Sequence, residues 1–337
     1  MIQESRMVHD FQTKQQERKY WIIFGVVVIL GLLAAFGLLV YNNPVPVTSS
    51  SFIPVVRRRM NAIIAMAIAA VTQSVATVAF QSVTNNKIIT PSLLGFEALY
   101  TTIQTSVLYF FGIGALVAFS GTQAFLIQVV AMVVLSLLLY GTLLTGKFGN
   151  LQFMLLIGII IGTGLRSLSS FMRRLLSPSE FDILQARLYG SVNNADPEYF
   201  PIVIPIVILV IVLFMISSNK LNVLSLGKDV STNLGMNYQK GLIQTLVLVS
   251  ILMSISTALV GPMTFFGFLV ATLTYQLTPT YNHKYLFPMA IALSFLVLSG
   301  AYFLMYHVFN AQGVVSVIIE LIGGGTFLIL IFRKGKL

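Results

Sequence analysis

Ten long apolar runs joined by mostly short polar connections constrain this chain more than any other feature. They are roughly Trp21–Tyr41, Met60–Phe80, Phe96–Phe119, Ala124–Leu144, Leu151–Leu165, Pro201–Ser217, Gly241–Leu259, Pro262–Leu277, Leu286–Tyr306 and Val314–Phe332. The hydrocarbon core of a bilayer is about 30 Å thick and a helix rises about 1.5 Å per residue, so ~20 apolar residues cross it. Lipid offers the backbone no hydrogen-bond partners, so runs of this kind fold as helices. The fifth run is short by strict apolarity and is expected to continue through Ser167–Leu176. The Pro262 run contains several threonines and is tightly joined to its predecessor.

Of the 337 residues, 57% are hydrophobic and 9% charged. Soluble domains carry about a quarter charged residues, so an ordinary globular enzyme is excluded. No charge-rich half exists to supply a second, soluble domain. The expected architecture is an all-α polytopic membrane protein. Residues 1–20 form a polar N-terminal segment, and 21–337 form a single transmembrane domain of about ten spans. The opening MIQESRMVHDFQTKQQERKY is too polar and too long for the n-region of a cleaved signal peptide, so the first run is expected to be retained.

Ten spans put both termini on one side. With that side cytoplasmic, thirteen of the twenty Lys and Arg residues lie inside and seven outside, in keeping with the positive-inside rule. The seven outer cations are all arginine: Arg57, Arg58, Arg59, Arg166, Arg173, Arg174 and Arg187. That uniformity suggests a task other than topology. Two longer polar stretches stand out, an outer one from Arg166 to Phe200 and an inner one, 218–240. In the inner one Lys228–Thr232 lies between Gly227 and Gly235, which punctuates one or two short amphipathic surface helices.

Catalytic patterns are missing. There is no cysteine, and His9, His283 and His307 are scattered. No His-Glu-x-x-His, Gly-x-Ser-x-Gly or Walker A sequence occurs, so the chain cannot hydrolyse ATP by itself. Energy has to come from a partner or an ion gradient. Gradient coupling needs ionisable groups at membrane depth, and Glu97 and Glu320 are the two candidates. Glu97, beside Pro91 and Gly95, reads as interfacial. Glu320 reads either as a hydrogen-bonded carboxyl in a packed bundle or as part of a transport path. Without a cationic intramembrane partner, proton coupling is disfavoured and an external ATPase favoured. A membrane-embedded enzyme would need a convergent polar cluster that the spans lack.

Five short motifs carry a resemblance. The segment Gln81-Ser-Val-Thr84-Asn-Asn86-Lys-Ile-Ile-Thr-Pro91-Ser-Leu-Leu-Gly95 is similar to Q-x-L-T-x-N-P-L-A-x-P-x-x-L-G, with Lys87 for proline and Thr90 for an acidic residue. Leu221 to Gly235 is similar to L-D-x-L-x-L-G-E-x-A-x-x-L-G. Gly261-Pro262-Met-Thr-Phe265-Phe-Gly267-Phe-Leu-Val270 is similar to G-P-I-x-F-V-G-L-I-V, after which Ala271, Thr272 and Tyr275 depart from P-H-x-x-R. His283 with Pro288 is similar to D-H-R-x-L-x-P, and Leu321-Ile322-Gly323 closes the series, with Gly325 for proline. Occurring in this order, they resemble the FecCD family, the iron-siderophore and vitamin B12 permeases of type II ABC importers. The T-N-N-K-I-I-T-P stretch and the outer F-M-R-R-L to Q-A-R segment resemble a catecholate-siderophore subgroup that commonly pairs two different permease chains.

The resemblance implies a BtuC-like type II ABC importer permease fold in a bacterial cell membrane, carrying a ferric siderophore inward. The implied partners are a second permease chain in a heterodimer, two ATP-binding subunits and an extracytoplasmic substrate-binding lipoprotein. ATP and magnesium would sit on the ATPase subunits, with no cofactor on this chain. The implied ATPase-coupling residues are Leu226, Gly227, Lys228, Asp229, Leu234 and Gly235. Physically, Leu226, Val230 and Leu234 at i, i+4 spacing suit an apolar edge in a groove, or equally an amphipathic helix on the lipid surface. Arg57, Arg58 and Arg59 match positions that pair with acidic residues of the binding protein, a task suited to arginine's planar fork; snorkelling anchors are the alternative. Arg166, Arg173 and Arg174 would do the same or draw an anionic chelate to an entrance, unless Glu180 and Asp182 neutralise them. The cytoplasmic gate falls at Gly141–Asn150 and the path along the fifth span. A haem or cobalamin cargo and an ion-coupled secondary transporter remain alternatives.

Overall fold

A computed structural model describes residues 10–41, 45–46, 48–118, 120–145, 151–309 and 315–334. Among these the chain is helical with no strand, in the order α1 (Lys14–Val40), α2 (Phe52–Val83), α3 (Phe96–Ala118), α4 (Gly121–Thr145), α5 (Leu151–Arg174), α6 (Pro178–Leu188), α7 (Phe200–Ile216), α8 (Ser218–Leu224), α9 (Lys228–Asn233), α10 (Tyr238–Val260), α11 (Phe266–Leu277), α12 (His283–His307) and α13 (Val315–Lys334). The ten apolar runs fall one for one on α1–α5, α7 and α10–α13. Eight of these helices are long and apolar enough to cross a membrane, and two, in α11 and α13, are shorter apolar helices. The fifth run does continue, as α5, through Arg174. The inner polar stretch folds as the two short helices α8 and α9.

The bundle is organised around α2, which packs against α1, α10, α11 and α12. Its most apolar window is 78% buried, against 22% for peripheral α1. The sequence explains this. Ala65, Ala69, Ala70, Ser74, Ala76 and Ala79 are fully buried small residues that let neighbouring backbones approach, as helix packing in lipid requires. Its hydroxyls are spent on its own backbone: Thr72 Oγ1 donates to the Ile68 carbonyl at 2.8 Å, Ser74 Oγ to Ala70 at 2.6 Å and Thr84 Oγ1 to Phe80 at 2.8 Å.

Three local departures matter for function. α2 starts at Phe52, so the arginine triplet lies on a helical extension and not ahead of the span. α3 is broken at Gly112, φ +74°. The Pro262 run begins as a loop: Gly261 stops α10 with φ +84°, and the helix resumes only at Phe266. A side chain at Gly261 would be strained by that backbone and would meet the Gly190 Cα at 3.0 Å.

Candidate functional site

The two ends of the bundle differ in chemistry. At one end, α8 and α9 project beyond the spans. Gly227 (φ +92°) and Gly235 (φ +81°) bracket α9, and both adopt the left-handed backbone that a Cβ disfavours. Ser231 is buried, and its Oγ donates to the Val223 carbonyl of α8 at 2.8 Å, which fixes the two short helices to each other. The opposite face of α9 is exposed. Leu226, Val230 and Leu234 are 54%, 46% and 62% exposed, with Lys228 and Asp229 beside them.

Beneath Leu226 lies a cavity of about 530 Å³ lined in part by Gln81, Lys87, Asn222, Tyr275, Tyr281 and His283. The fold thus brings the Gln81 motif and the coupling motif to one place. Gln81 Nε2 donates to the Lys87 carbonyl at 2.8 Å, and Asn86 Oδ1 accepts from Ile88 N–H at 2.9 Å, so both motif residues shape the turn after α2. Lys87 Nζ lies 4.7 Å from the Tyr275 ring centroid and 5.1 Å from that of Tyr281, within cation–π range. Lys87 and Tyr275 are two of the positions where the sequence departs from the family pattern, and here they meet. Pro91 opens a 3-10 turn that ends at Gly95, which packs on Gly162 of α5. Gly267 packs on Thr77 of α2.

At the other end the three consecutive arginines divide. Arg59 donates from one guanidinium nitrogen to the carbonyls of Leu38, Leu39 and Tyr41, each at 3.1 Å. Those are the carbonyls that the end of α1 leaves without intrahelical partners. Arg57 and Arg58 are exposed. On α5, Arg174 is exposed, Arg173 donates to Ser170 Oγ at 3.2 Å, and Arg166 is half-buried within electrostatic reach of Glu97. Glu180 is occupied: its carboxylate accepts from Ser177 N–H at 2.9 Å and Ser177 Oγ at 2.7 Å in a capping box for α6. Those hydrogen bonds hold the Glu180 carboxyl below the usual carboxylate range.

The two membrane carboxylates meet in the interior. Contrary to the interfacial reading, Glu97 is only 4% exposed. Its Oε1 accepts from Met263 N–H at 3.0 Å and its Oε2 from Thr264 Oγ1 at 2.5 Å. The Glu320 carboxyl, from α13, lies near the Thr264 backbone N–H. Glu97 therefore stitches the Gly261–Phe265 break, and Glu320 sits beside it near Thr264. Spacing gave no hint of this, since Thr264 is 167 residues from Glu97. Of the gate stretch Gly141–Asn150, residues 146–150 and the side chains of 141–145 lie outside the described residues.

The profile of the FecCD transport family matches residues 22–333. The chain belongs to the FecCD transport family. This FecCD protein is 66% identical over 334 residues to the petrobactin import system permease protein FatC of Bacillus anthracis, a match covering 99% of this chain and 94% of that one. It is 38% identical over 279 residues to the petrobactin import system permease protein YclO of Bacillus subtilis, covering 83% and 89% respectively. Among solved structures it is similar in fold to an inward-facing transporter assigned to the metal-chelate ABC type, with TM-score 0.75 and 19% identity over 93% of this chain and 99% of that chain.

Proposed function

We propose that this FecCD protein is the permease subunit of an ATP-driven importer that moves a ferric siderophore of the petrobactin class into the cytoplasm of a bacterium. The observation that carries the reading is the exposure of Leu226, Val230 and Leu234, on and flanking the short helix α9 between the spans. An apolar edge at a bundle end suits a groove on a partner. The chain has no nucleotide-binding motif, so that partner supplies hydrolysis. ATP and magnesium belong to two such ATP-binding subunits. A second, homologous permease chain would cover the open side of α5, whose Leu156, Ile160 and Phe171 are exposed while α3 and α4 pack its other side. The path would run along that side.

In this reading α8 and α9 face the cytoplasm with both termini, and Arg57 and Arg58 face an extracytoplasmic binding lipoprotein. Arg59 is committed to capping α1 and takes no part in docking. Arg174 remains the best placed of the α5 arginines to meet an anionic chelate. The engagement of Glu97 and Glu320 with Thr264 argues against ion-gradient coupling, because both carboxylates already have structural work. The petrobactin assignment rests on FatC and YclO, and it is favoured over haem or cobalamin for that reason.

The test is co-purification. Replacing Leu226 and Leu234 together by Asp abolishes association with the ATPase subunits while leaving membrane insertion intact. Undiminished association rules the docking role out.

A further inference from the structure

Behind the exposed edge of α9 the fold holds a half-buried polar chain, centred on buried His283, that leads away from it. Asn222, on α8, faces the start of α12. Its Oδ1 accepts from His283 N–H at 3.0 Å and lies against His283 Nδ1, and its Nδ2 donates to Asn282 Oδ1 at 3.1 Å. On the far side of the ring, His283 Nε2 lies 2.7 Å from Ser82 Oγ near the end of α2. His283 is 1% exposed, and its ring bridges Asn222 and Ser82, which are 140 positions apart.

The direction of every proton in the chain follows from two fixed ends. Lys284 N–H can only donate, and it donates to Asn282 Oδ1 at 3.0 Å; Asn282 Nδ2 then donates to the Asp10 carboxylate at 2.6 Å. The Asn222 atom facing Asn282 Oδ1 is therefore Nδ2, which leaves Oδ1 towards His283. Because that oxygen only accepts, Nδ1 carries the proton, and in the singly protonated ring Nε2 accepts from Ser82 Oγ–H. Ser82 Oγ also lies 2.8 Å from the Val78 carbonyl of its own helix, the usual destination of a helical serine's proton. The serine has one proton for these two acceptors, with the Tyr275 hydroxyl also close to it, and the histidine competes for that proton with α2 itself.

We propose that His283 is a positioning residue that carries displacement of the coupling helices to α2 and α12. This rests on the docking reading of α9 given above. The route is short. A load on Leu226, Val230 or Leu234 passes through Ser231 to the Val223 carbonyl, through neighbouring Asn222 to the imidazole, and then to two helices at once: α12 through its first residue and α2 through Ser82. α2 is the helix around which the bundle is packed, so its last turn is where a small movement reaches the most neighbours. A rigid ring hydrogen-bonded at both nitrogens transmits such a movement in a way that two apolar surfaces sliding past each other do not.

The experiment compares uptake with hydrolysis in vesicles that hold the whole assembly, with radio-iron-labelled petrobactin as the probe. In His283→Asn the amide stands in for Nδ1 alone; in His283→Gln it stands in for Nε2 alone. Each keeps one half of the bridge. The expected result is normal co-purification with the ATPase subunits, hydrolysis close to the parent rate, and uptake per ATP lower by about tenfold, within what single residues on a coupling route achieve. Ser82→Ala removes one oxygen and no ring, and it gives the same change in ratio, deciding the matter alone where the histidine variants fail to accumulate. An unchanged ratio, or uptake and hydrolysis falling in parallel, overturns the relay. Failure of the docking reading shows separately, as ATPase subunits that stay bound to the Leu226 and Leu234 double variant.

Discussion

The coupling-loop end and the arginine end are both polar caps on an apolar bundle, yet they handle polarity in opposite ways. Around α8 the polar side chains bond to residues far away in the chain: Asn222 to His283, Asn282 to Asp10, and Tyr238 to the Val83 carbonyl at 3.0 Å. At the arginine end the charged side chains bond locally, although Val192 N–H and Asn193 Nδ2 in the same outer segment reach the Tyr302 and Tyr306 hydroxyls. Glu180 caps its own helix, Arg173 reaches back three residues, and Arg59 closes the end of the preceding helix. On the proposed reading, the first end transmits movement and the second presents exposed guanidinium groups to a partner.

That contrast can be broken by experiment, most severely at α9. The paired Leu226→Asp and Leu234→Asp changes are expected to remove ATPase association altogether, read by co-purification, whereas the same pair of charges placed on exposed Leu168 and Leu175, at the arginine end, leaves it unchanged. Next in size is charge reversal at the arginine end. Arg57→Glu with Arg58→Glu weakens capture of the loaded binding protein by about tenfold or more, as loss of close charge pairs across an interface does. Arg59→Gln behaves differently: binding-protein affinity stays near the parent value while thermal stability falls. If all three arginine changes weaken binding equally, the division of the triplet is wrong.

Thr264→Val should sharpen the contrast at the centre. It removes the hydroxyl that joins Glu97 to the α10–α11 break and leaves a buried carboxylate oxygen short of a donor, at a cost of about 1–3 kcal/mol in unfolding measurements. Glu320→Gln keeps an acceptor towards the Thr264 N–H, so ATP-driven uptake persists in vesicles whose proton gradient has been collapsed. The smallest effect is at α6. The Glu180 carboxyl is held below its ordinary range, so its contribution to the cap is present above the unfolded pKa and is lost as pH falls through the lower, folded one. The protection factor for hydrogen exchange at the start of α6 falls on acidification through that window, and Glu180→Gln blunts the response.

What could be read from the sequence follows a physical boundary. The ten apolar helices, eight of them long enough to cross a membrane, were legible because each is a local run of apolar residues. The continuation of α5 to Arg174 and the helices between Gly227 and Gly235 were legible for the same reason: turn residues and periodicity are local signals. The start of α2 at Phe52 was not, since polar arginines in an exposed helical turn look like a connection. Nor were the meeting of Glu97 and Glu320 at Thr264 and the bridge from Asn222 through His283 to Ser82. These depend on which helices pack together, and no spacing in a single chain encodes that. His283 could be singled out as a motif residue, but its partners were out of sight.

The shortness of α11 has a further consequence. Its twelve residues reach about 18 Å, well short of the ~30 Å hydrocarbon slab. Over the remaining depth the barrier against leakage is made of side chains: the Phe265 ring 5.8 Å from that of Phe327, and a threonine held between two carboxylates. At this one track through the bundle, keeping protons and water on their own sides falls to a few rings and hydrogen bonds instead of a continuous helical wall.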